Sequence, residues 1–386
     1  MSTRDNYFQG TVERLVAGGD GLVIHEGKPY FVPFSAPQDK LALRITEHHS
    51  SFGRATIEEI IEPSPLRISP SCPLYGQCGG CSLQHIRYEA QLTIKKEILT
   101  ELFHRIGKGI AIPPIKVIPS EPYEYRHRIQ LHATDPREKQ SPVGFKAFHQ
   151  ERVVPVTDCP ICHSPIRRAL QKKELRPPQG KNRFTVFSWD TALFQEGKQP
   201  QGKIILKGKP LYVDAGVFFQ SNLSTLELLI EELMEITRNI PHRHRAADLY
   251  CGVGTFGAFL REYFSELDLL EATEASLFLA KKNIQGSGIR YFMMRDEAWA
   301  SSQKREPQGY DLVVVDPPRQ GLSPAMRNYL AYQGSPFLVY VSCEGSTLAR
   351  DCKELTEGGY TLEQLSLYDF YPQTAHMECL AFLRKK

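Results

Sequence analysis

Apolar positions change their rhythm along this chain. Up to residue 62 they come as short alternating runs, at residues 7–15, 21–25, 28–32 and 41–46. Alternation with period two predicts half-buried strands. Gly18-Gly19-Asp20-Gly21 and Glu26-Gly27 supply turns between them. Short strands so spaced predict a small OB-like β-barrel over residues 1–62. Pro63, Pro65 and Pro70 then mark a linker. A helical rhythm runs from about Tyr88 to Ile106, and residues 112–215 read as mixed and strand-rich, with strands at 126–132 and 143–148. Helical spacing returns at 222–239. Beyond it, strands at 246–250, 267–270, 290–293, 311–315 and 337–341 alternate with helical stretches. That alternation is the signature of a doubly wound parallel sheet. The predicted class is α/β: a Rossmann-like domain over 216–386, preceded by the barrel and by a mixed, strand-rich central domain over 63–215.

Length agrees with that division, since 386 residues allow two or three domains. Hydrophobic content of 41% and charged content of 24% are ordinary for a soluble globular protein. No apolar run approaches transmembrane length, so no membrane partner is expected. The first residues lack the apolar stretch of a signal peptide. A cytoplasmic location is expected, and the nine cysteines are not expected to form a disulfide framework. Charge changes the picture more. The net charge is only +3, but residues 1–62 carry −3, residues 63–210 carry +12 and residues 211–386 carry −6. A basic middle third fits a polyanion partner such as RNA. A solvated lysine-rich surface would account for it equally well. The same two readings apply to Arg126, Arg128 and Lys146 within it.

Candidate chemistry clusters in the doubly wound part. Its first strand runs into Asp248-Leu249-Tyr250-Cys251-Gly252-Val253-Gly254-Thr255-Phe256-Gly257. Glycines here let a backbone approach a nucleotide closely, although tight turns also use them. The Gly-x-Gly-x-x-Gly dinucleotide pattern is absent. Glu271 ends the second strand, where a carboxylate can accept both ribose hydroxyls of an adenosyl ligand. Together these favour S-adenosylmethionine over NAD. Asp316-Pro317-Pro318-Arg319 follows the fourth strand, and similar motifs occur in enzymes that methylate base amino groups. Cys343 ends the fifth strand. It is either a small buried apolar residue or a nucleophile at the ligand crevice. Uracil C5 needs such a nucleophile, because thiolate addition at C6 is what makes C5 able to accept a methyl group. A base must then remove the C5 proton. Glu378, just before the terminal strand, is the candidate. Amino-group methylation would need neither residue.

The chain resembles the RNA uracil-C5 methyltransferase family, in particular its 23S ribosomal RNA 5-methyluridine branch. The matching segments are Phe218-Phe219-Gln220-Ser221-Asn222, residues 248–256, Asp316-Pro317-Pro318-Arg319, Ser342-Cys343-Glu344 with Thr347-Leu348-Ala349-Arg350-Asp351, and His376-Met377-Glu378. The resemblance implies a class I methyltransferase fold, Cys343 as nucleophile and Glu378 as base. It implies that Gln220, Tyr250, Thr255, Glu271, Asp296 and Asp316 line the S-adenosylmethionine pocket. Relatives often have Phe and Asn where this chain has Tyr250 and Thr255. The family's Cys-Asn-Pro is Cys-Glu-Gly here, so Glu344 adds a negative charge expected to raise the thiol pKa. Phe218 is either a stacking surface for a base or a core aromatic.

By the same resemblance the first domain is a TRAM-like RNA-binding module. Cys72, Cys78 and Cys81, with Cys159 in Asp158-Cys159-Pro160-Ile161, form the ligand set of a [4Fe–4S] cluster. Cys78, Cys81, Cys159 and Cys162 would alternatively make a tetrahedral zinc site that leaves Cys72 unused. Cys251, Cys352 and Cys379 read as structural. The implied partner is RNA, 23S rRNA first and tRNA as the alternative, and the implied state is a monomer. Two other classes stay open: a base-amino methyltransferase, and a non-catalytic RNA-binding metalloprotein on a methyltransferase fold.

Overall fold

A computed structural model describes residues 6–385 apart from 136, 139–140 and 303–308. Residues 1–5, on which the expectation of no signal peptide rests, lie outside the described residues. The first unit is a bent six-stranded sheet of β1 (Tyr7–Thr11), β2 (Arg14–Leu15), β3 (Gly21–His25), β4 (Lys28–Val32), β5 (Lys40–His48) and β6 (Gly53–Glu62). Its order is β1-β5-β6-β4-β3-β2. Phe8, Val12, Val23, Tyr30, Val32, Leu41 and Leu43 point inward and make its core. Register shifts between β5 and β6 bend the pair.

Next come α1 (Tyr88–Arg105), β7 (Ile115–Ile118), β8 (Arg128–Ala133), β9 (Val143–Lys146), β10 (Val153–Pro155) and α2 (Ser164–Gln171). They are followed by β11 (Arg183–Trp189), β12 (Ala192–Gln195) and a hairpin of β13 (Gln201–Leu206) and β14 (Lys209–Asp214). Five of these strands form one sheet in the order β10-β9-β8-β11-β12. Ile166, Ala169 and Leu170 of α2 pack on its Ile129, Leu131, Phe184 and Val186.

The last unit contains α3 (Leu223–Arg238), β15 (Arg245–Leu249), α4 (Thr255–Leu260), β16 (Glu266–Glu271), α5 (Glu274–Asn283) and β17 (Ile289–Met293). It continues with α6 (Asp296–Ser302), β18 (Leu312–Val315), α7 (Pro324–Gln333), β19 (Phe337–Ser342), α8 (Gly345–Glu357), β20 (Tyr360–Tyr368) and β21 (Glu378–Lys385). The sheet order is β17-β16-β15-β18-β19-β21-β20-β7. The first five strands are parallel, and β21 runs antiparallel between β19 and β20. Both faces are covered, so the central parallel strands β15, β18 and β19 are buried at nearly every position, and β18 is apolar throughout. Ala246, Val314, Val339 and Val341 face one core layer. Ala247, Leu249, Val313, Val315 and Tyr340 face the other.

This sheet crosses the expected boundary at residue 215. β7 pairs in parallel with β20 at its far edge. Ile94, Ile98, Leu99, Leu102 and Phe103 of α1 join the second core layer. No helix of the described residues is long and apolar enough to cross a membrane.

Candidate active site and cysteine cavity

The carboxyl ends of the parallel strands lie along one edge of the sheet. β15 brings Asp248 to it, fully buried. Asp248 Oδ2 accepts the Gly257 N–H at 2.7 Å, which ties the strand to the first turn of α4. Its other oxygen has no partner among the described residues. Burial, then the Asp316 and Glu271 carboxylates, pushes Asp248 up to about 8. The loop between Asp248 and Gly257 turns sharply. Tyr250 sits at φ 63° and Gly254 at φ 82°. A Cβ on Gly254 would stand 2.8 Å from Ile284 Cδ1, so both shape and dihedral call for glycine.

Around this loop lie the residues of the expected cofactor pocket. Glu271, at the end of β16, accepts Gly252 N–H at 3.1 Å and Thr273 N–H at 2.7 Å. Those bonds fix the carboxylate at the loop. Tyr250 donates its hydroxyl to Asp296 Oδ2 at 2.7 Å, and Ser323 N–H reaches the same oxygen at 3.3 Å. Thr255 opens α4. Gln220 keeps a buried Oε1 with no protein donor among the described residues. Asp316 follows β18, and its N–H reaches Leu249 O at 3.3 Å, which holds it beside β15. Burial pushes its carboxyl up to about 7. Buried acceptors without donors are costly. Asp248, Glu271 and Asp316 stand at the carboxyl ends of their strands, the position where open α/β sheets take ligands.

Strand register brings the expected reacting pair together. Ser342 of β19 pairs with Cys379 of β21. One step further along the same register puts Cys343 opposite Glu378. Burial foremost, then the Glu378 and Asp316 carboxylates, pushes the Cys343 thiol up to about 12, while Arg319 opposes the rise. Glu378 is 2% exposed, and its Oε1 has no partner among the described residues. Burial and Asp316 hold its carboxyl well above the usual range, with Arg319 again pulling down. Burial therefore disfavours the charged form of both the thiol and this acid. Burial and the Glu378 and Asp316 carboxylates, rather than Glu344, are the largest causes of the thiol's shift. The Glu344 side chain caps α8, accepting Ser346 N–H and the Ser346 hydroxyl.

A second feature lies in the central part of the chain. Cys72, Cys78, Cys81 and Cys159 line one cavity with Arg126. All four are free thiols. Cys162 is fully buried and belongs to the core under the five-stranded sheet. Among the described residues, no three His, Cys, Asp or Glu side chains gather closely enough to hold a single metal ion. Cys251, Cys352 and Cys379 are buried in the two layers that flank the large sheet. Arg126 donates its Nε to Arg128 O at 3.3 Å. The Arg128 guanidinium stands 5.5 Å from the Phe218 ring, which is 59% exposed and so is no core aromatic. Lys146 pairs with Glu151.

Comparison with known proteins decides the class. The family model for tRNA (uracil-5-)-methyltransferase matches residues 207–386. An uncharacterized RNA methyltransferase of Aquifex aeolicus is 31% identical over 99% of this chain and 100% of its own length. The chain belongs to the RNA uracil-5-methyltransferase family. It is an enzyme of that class, using S-adenosylmethionine to methylate uracil C5 in RNA. Within the family, the 23S rRNA (uracil(1939)-C(5))-methyltransferase of Vibrio parahaemolyticus is 27% identical, covering 100% of this chain and 97% of that one. The crystal structure of Pyrococcus abyssi tRNA (uracil-54, C5)-methyltransferase with S-adenosyl-L-homocysteine shares the fold. It has a TM-score of 0.73 and 22% identity over 97% of this chain and 100% of that chain.

Sequence reading missed the part played by Asp248, although it begins the glycine-loop motif. A carboxylate nine residues before a helical glycine signals an acceptor for that turn only once the strand-to-helix geometry is known. It also missed Arg319, the cation that opposes the rise of both Cys343 and Glu378.

Proposed function

We propose that this enzyme methylates C5 of a uridine in 23S rRNA, with Cys343 as nucleophile and Glu378 as base. The observation that carries the mechanism is the register of β19 and β21, which faces a thiol with a buried carboxyl beside Asp316. The reading runs as follows. The Cys343 thiolate bonds to C6, and the C5–C6 π electrons move onto C5 and the neighbouring carbonyl. S-adenosylmethionine supplies the methyl group that C5 takes, and its positive charge favours the ionised forms of the nearby acids. Glu378 then removes the C5 proton. The released electron pair restores the double bond and expels the Cys343 thiolate. Gln220, Tyr250, Thr255, Glu271, Asp296 and Asp316 hold the cofactor in this reading. The unpartnered Gln220 oxygen and the raised Asp316 support it.

Cys72, Cys78, Cys81 and Cys159 are the proposed ligands of a [4Fe–4S] cluster. Their shared cavity supports that set, and Cys162 is absent from its lining. Thiolates on one tetrahedral zinc lie about 3.8 Å apart, given a Zn–S bond of about 2.3 Å. The cage of a cluster spreads its thiolates more widely. The first sheet would serve as a TRAM-like RNA module, and the basic middle of the chain as the main RNA surface. The name and near-full coverage of the Vibrio relative support 23S rRNA.

The test is methylation of purified 23S rRNA and tRNA lacking 5-methyluridine, followed by nucleoside mapping. The expected result is one new 5-methyluridine in 23S rRNA. Methylation of tRNA alone would overturn the substrate. Methyl groups on a base amino group would overturn the chemistry.

A further inference from the structure

Residues 369–377 join β20 to Glu378 as an irregular strap. Irregular backbone usually leaves carbonyls to water, but here four consecutive ones are claimed by other parts of the chain. Phe370 O accepts from Asn222 Nδ2 at 3.2 Å. Tyr371 O accepts from Lys95 Nζ at 3.1 Å, and that lysine is itself paired with Asp369 where both are fully buried. Pro372 O accepts the Tyr125 hydroxyl at 2.9 Å. Gln373 O accepts Ser82 N–H at 3.0 Å and Leu83 N–H at 2.9 Å, immediately after Cys81.

Gln91 of α1 closes the junction. It is fully buried. Its Oε1 accepts Gln373 N–H at 3.0 Å. Its Nε2 donates to Gln373 Oε1 at 3.0 Å, to Leu83 O at 3.0 Å and to Ile86 O at 2.8 Å. Gln373 stands at φ 66°, a left-handed conformation that a non-glycine residue keeps only when its surroundings impose it. Ala375 N–H reaches Ser82 Oγ at 3.2 Å as well. The end of the cysteine loop and the approach to Glu378 are thus one hydrogen-bonded body. Cys343 is held differently, by β19 and by the Ser342 hydroxyl, which accepts Glu344 N–H and donates to Glu344 O.

We propose that Gln91 and Gln373 are positioning residues that fix Glu378 through this strap, so that the conformation of the cysteine loop sets the proton-removal step. This rests on Glu378 being the base. Loosening the strap moves Glu378 and leaves Cys343 and the cofactor loop in place. Thiol addition and methyl transfer then proceed, but elimination slows. The enzyme accumulates as a covalent complex with methylated RNA.

Two variants test this, with Glu378→Gln as control. Gln91→Met keeps the volume and removes every bond of the junction amide. Tyr125→Phe removes only the donor to Pro372 O. The readouts are the fraction of enzyme in a denaturation-stable RNA complex at steady state, turnover, S-adenosylhomocysteine affinity, and amide exchange at residues 82–83 and 373–377. A lost buried hydrogen bond of ordinary strength corresponds to roughly a tenfold change in the equilibrium that holds the strap. Gln91→Met is therefore expected to lower turnover and raise the covalent fraction, with faster exchange at the strap. Exchange across β19 and S-adenosylhomocysteine affinity should stay as in wild type. Tyr125→Phe should shift the same way by less. If Glu378→Gln accumulates no covalent complex, the base assignment fails. If it does, while both variants turn over like wild type or lose complex and turnover together, the strap proposal fails.

Discussion

Replacing Asp248 with asparagine should stabilise the protein, by a margin that widens as pH rises. Asp248 is fully buried, with one oxygen on Gly257 N–H and the other unpaired. Burial first, then Asp316 and Glu271, raises its carboxyl from 3.8 to about 8. In the unfolded chain the same group ionises near its ordinary value. Between those two values folding must take up a proton. The protein keeps its full stability below the unfolded value and loses it as pH climbs towards 8. The loss is about 1.4 kcal/mol per pH unit, or about 4 kcal/mol by pH 7 as an upper bound. Asparagine keeps an oxygen for Gly257 but brings an amide to a position where Oδ1 has no partner, which costs about 1–3 kcal/mol. The net gain at pH 7 is then about 1–3 kcal/mol, and near pH 4 it vanishes or reverses. Urea denaturation of wild type and Asp248→Asn at half-unit steps from pH 4.5 to 8 measures the difference directly. A difference that does not change with pH would refute the raised carboxyl.

Three further outcomes are expected. Gly254→Ala meets Ile284 and a φ of 82° at once, so S-adenosylhomocysteine binding by calorimetry should weaken by about tenfold or more, in line with about 1–2 kcal/mol of strain; unchanged affinity would contradict the loop assignment. Cys159→Ser should lose iron, acid-labile sulfide and visible absorbance, whereas Cys162→Ser should keep them and lose thermal stability from the core it occupies; the reverse pattern would exchange the two roles. The Cys343 thiol, pushed up to about 12, should react with iodoacetamide faster at each pH step through 9, and Glu378→Gln should speed that reaction at a fixed pH by removing a neighbouring acid. A plateau below pH 8 would contradict the raised thiol.

The parts of the fold that could be read early were those where one rhythm holds over a whole element. β18 is a continuous apolar run and β19 is one up to Ser342, and α3 has an apolar stripe with Asn222 capping its first turn through Thr225 N–H. β6 escaped notice because its outer half, with Glu58, Glu59 and Glu62, is exposed and bulged against β5. β20 escaped because its register shifts between Leu362 and Gln364, which breaks the alternation. α1 was legible as a helix, but its packing partner was not, since that depends on β7 reaching the far edge of a distant sheet. Motif spacing flagged Cys343 and Glu378, and strand register explains why they face each other. The upward shift of both groups was not legible. It follows from burial and from Asp316, whereas the charge that looked most relevant in sequence, Glu344, is spent on a helix cap. The strap's partners, Gln91, Tyr125 and Ser82, lie hundreds of residues away in the chain and carry no local signal.

The most direct test of the central claim is methyl transfer by Cys343→Ala on an RNA that wild type converts. Labelled S-adenosylmethionine and nucleoside analysis would follow 5-methyluridine formation, with S-adenosylhomocysteine binding measured alongside. The expected result is unchanged binding and no 5-methyluridine. Formation of 5-methyluridine by Cys343→Ala at the wild-type rate would contradict the account.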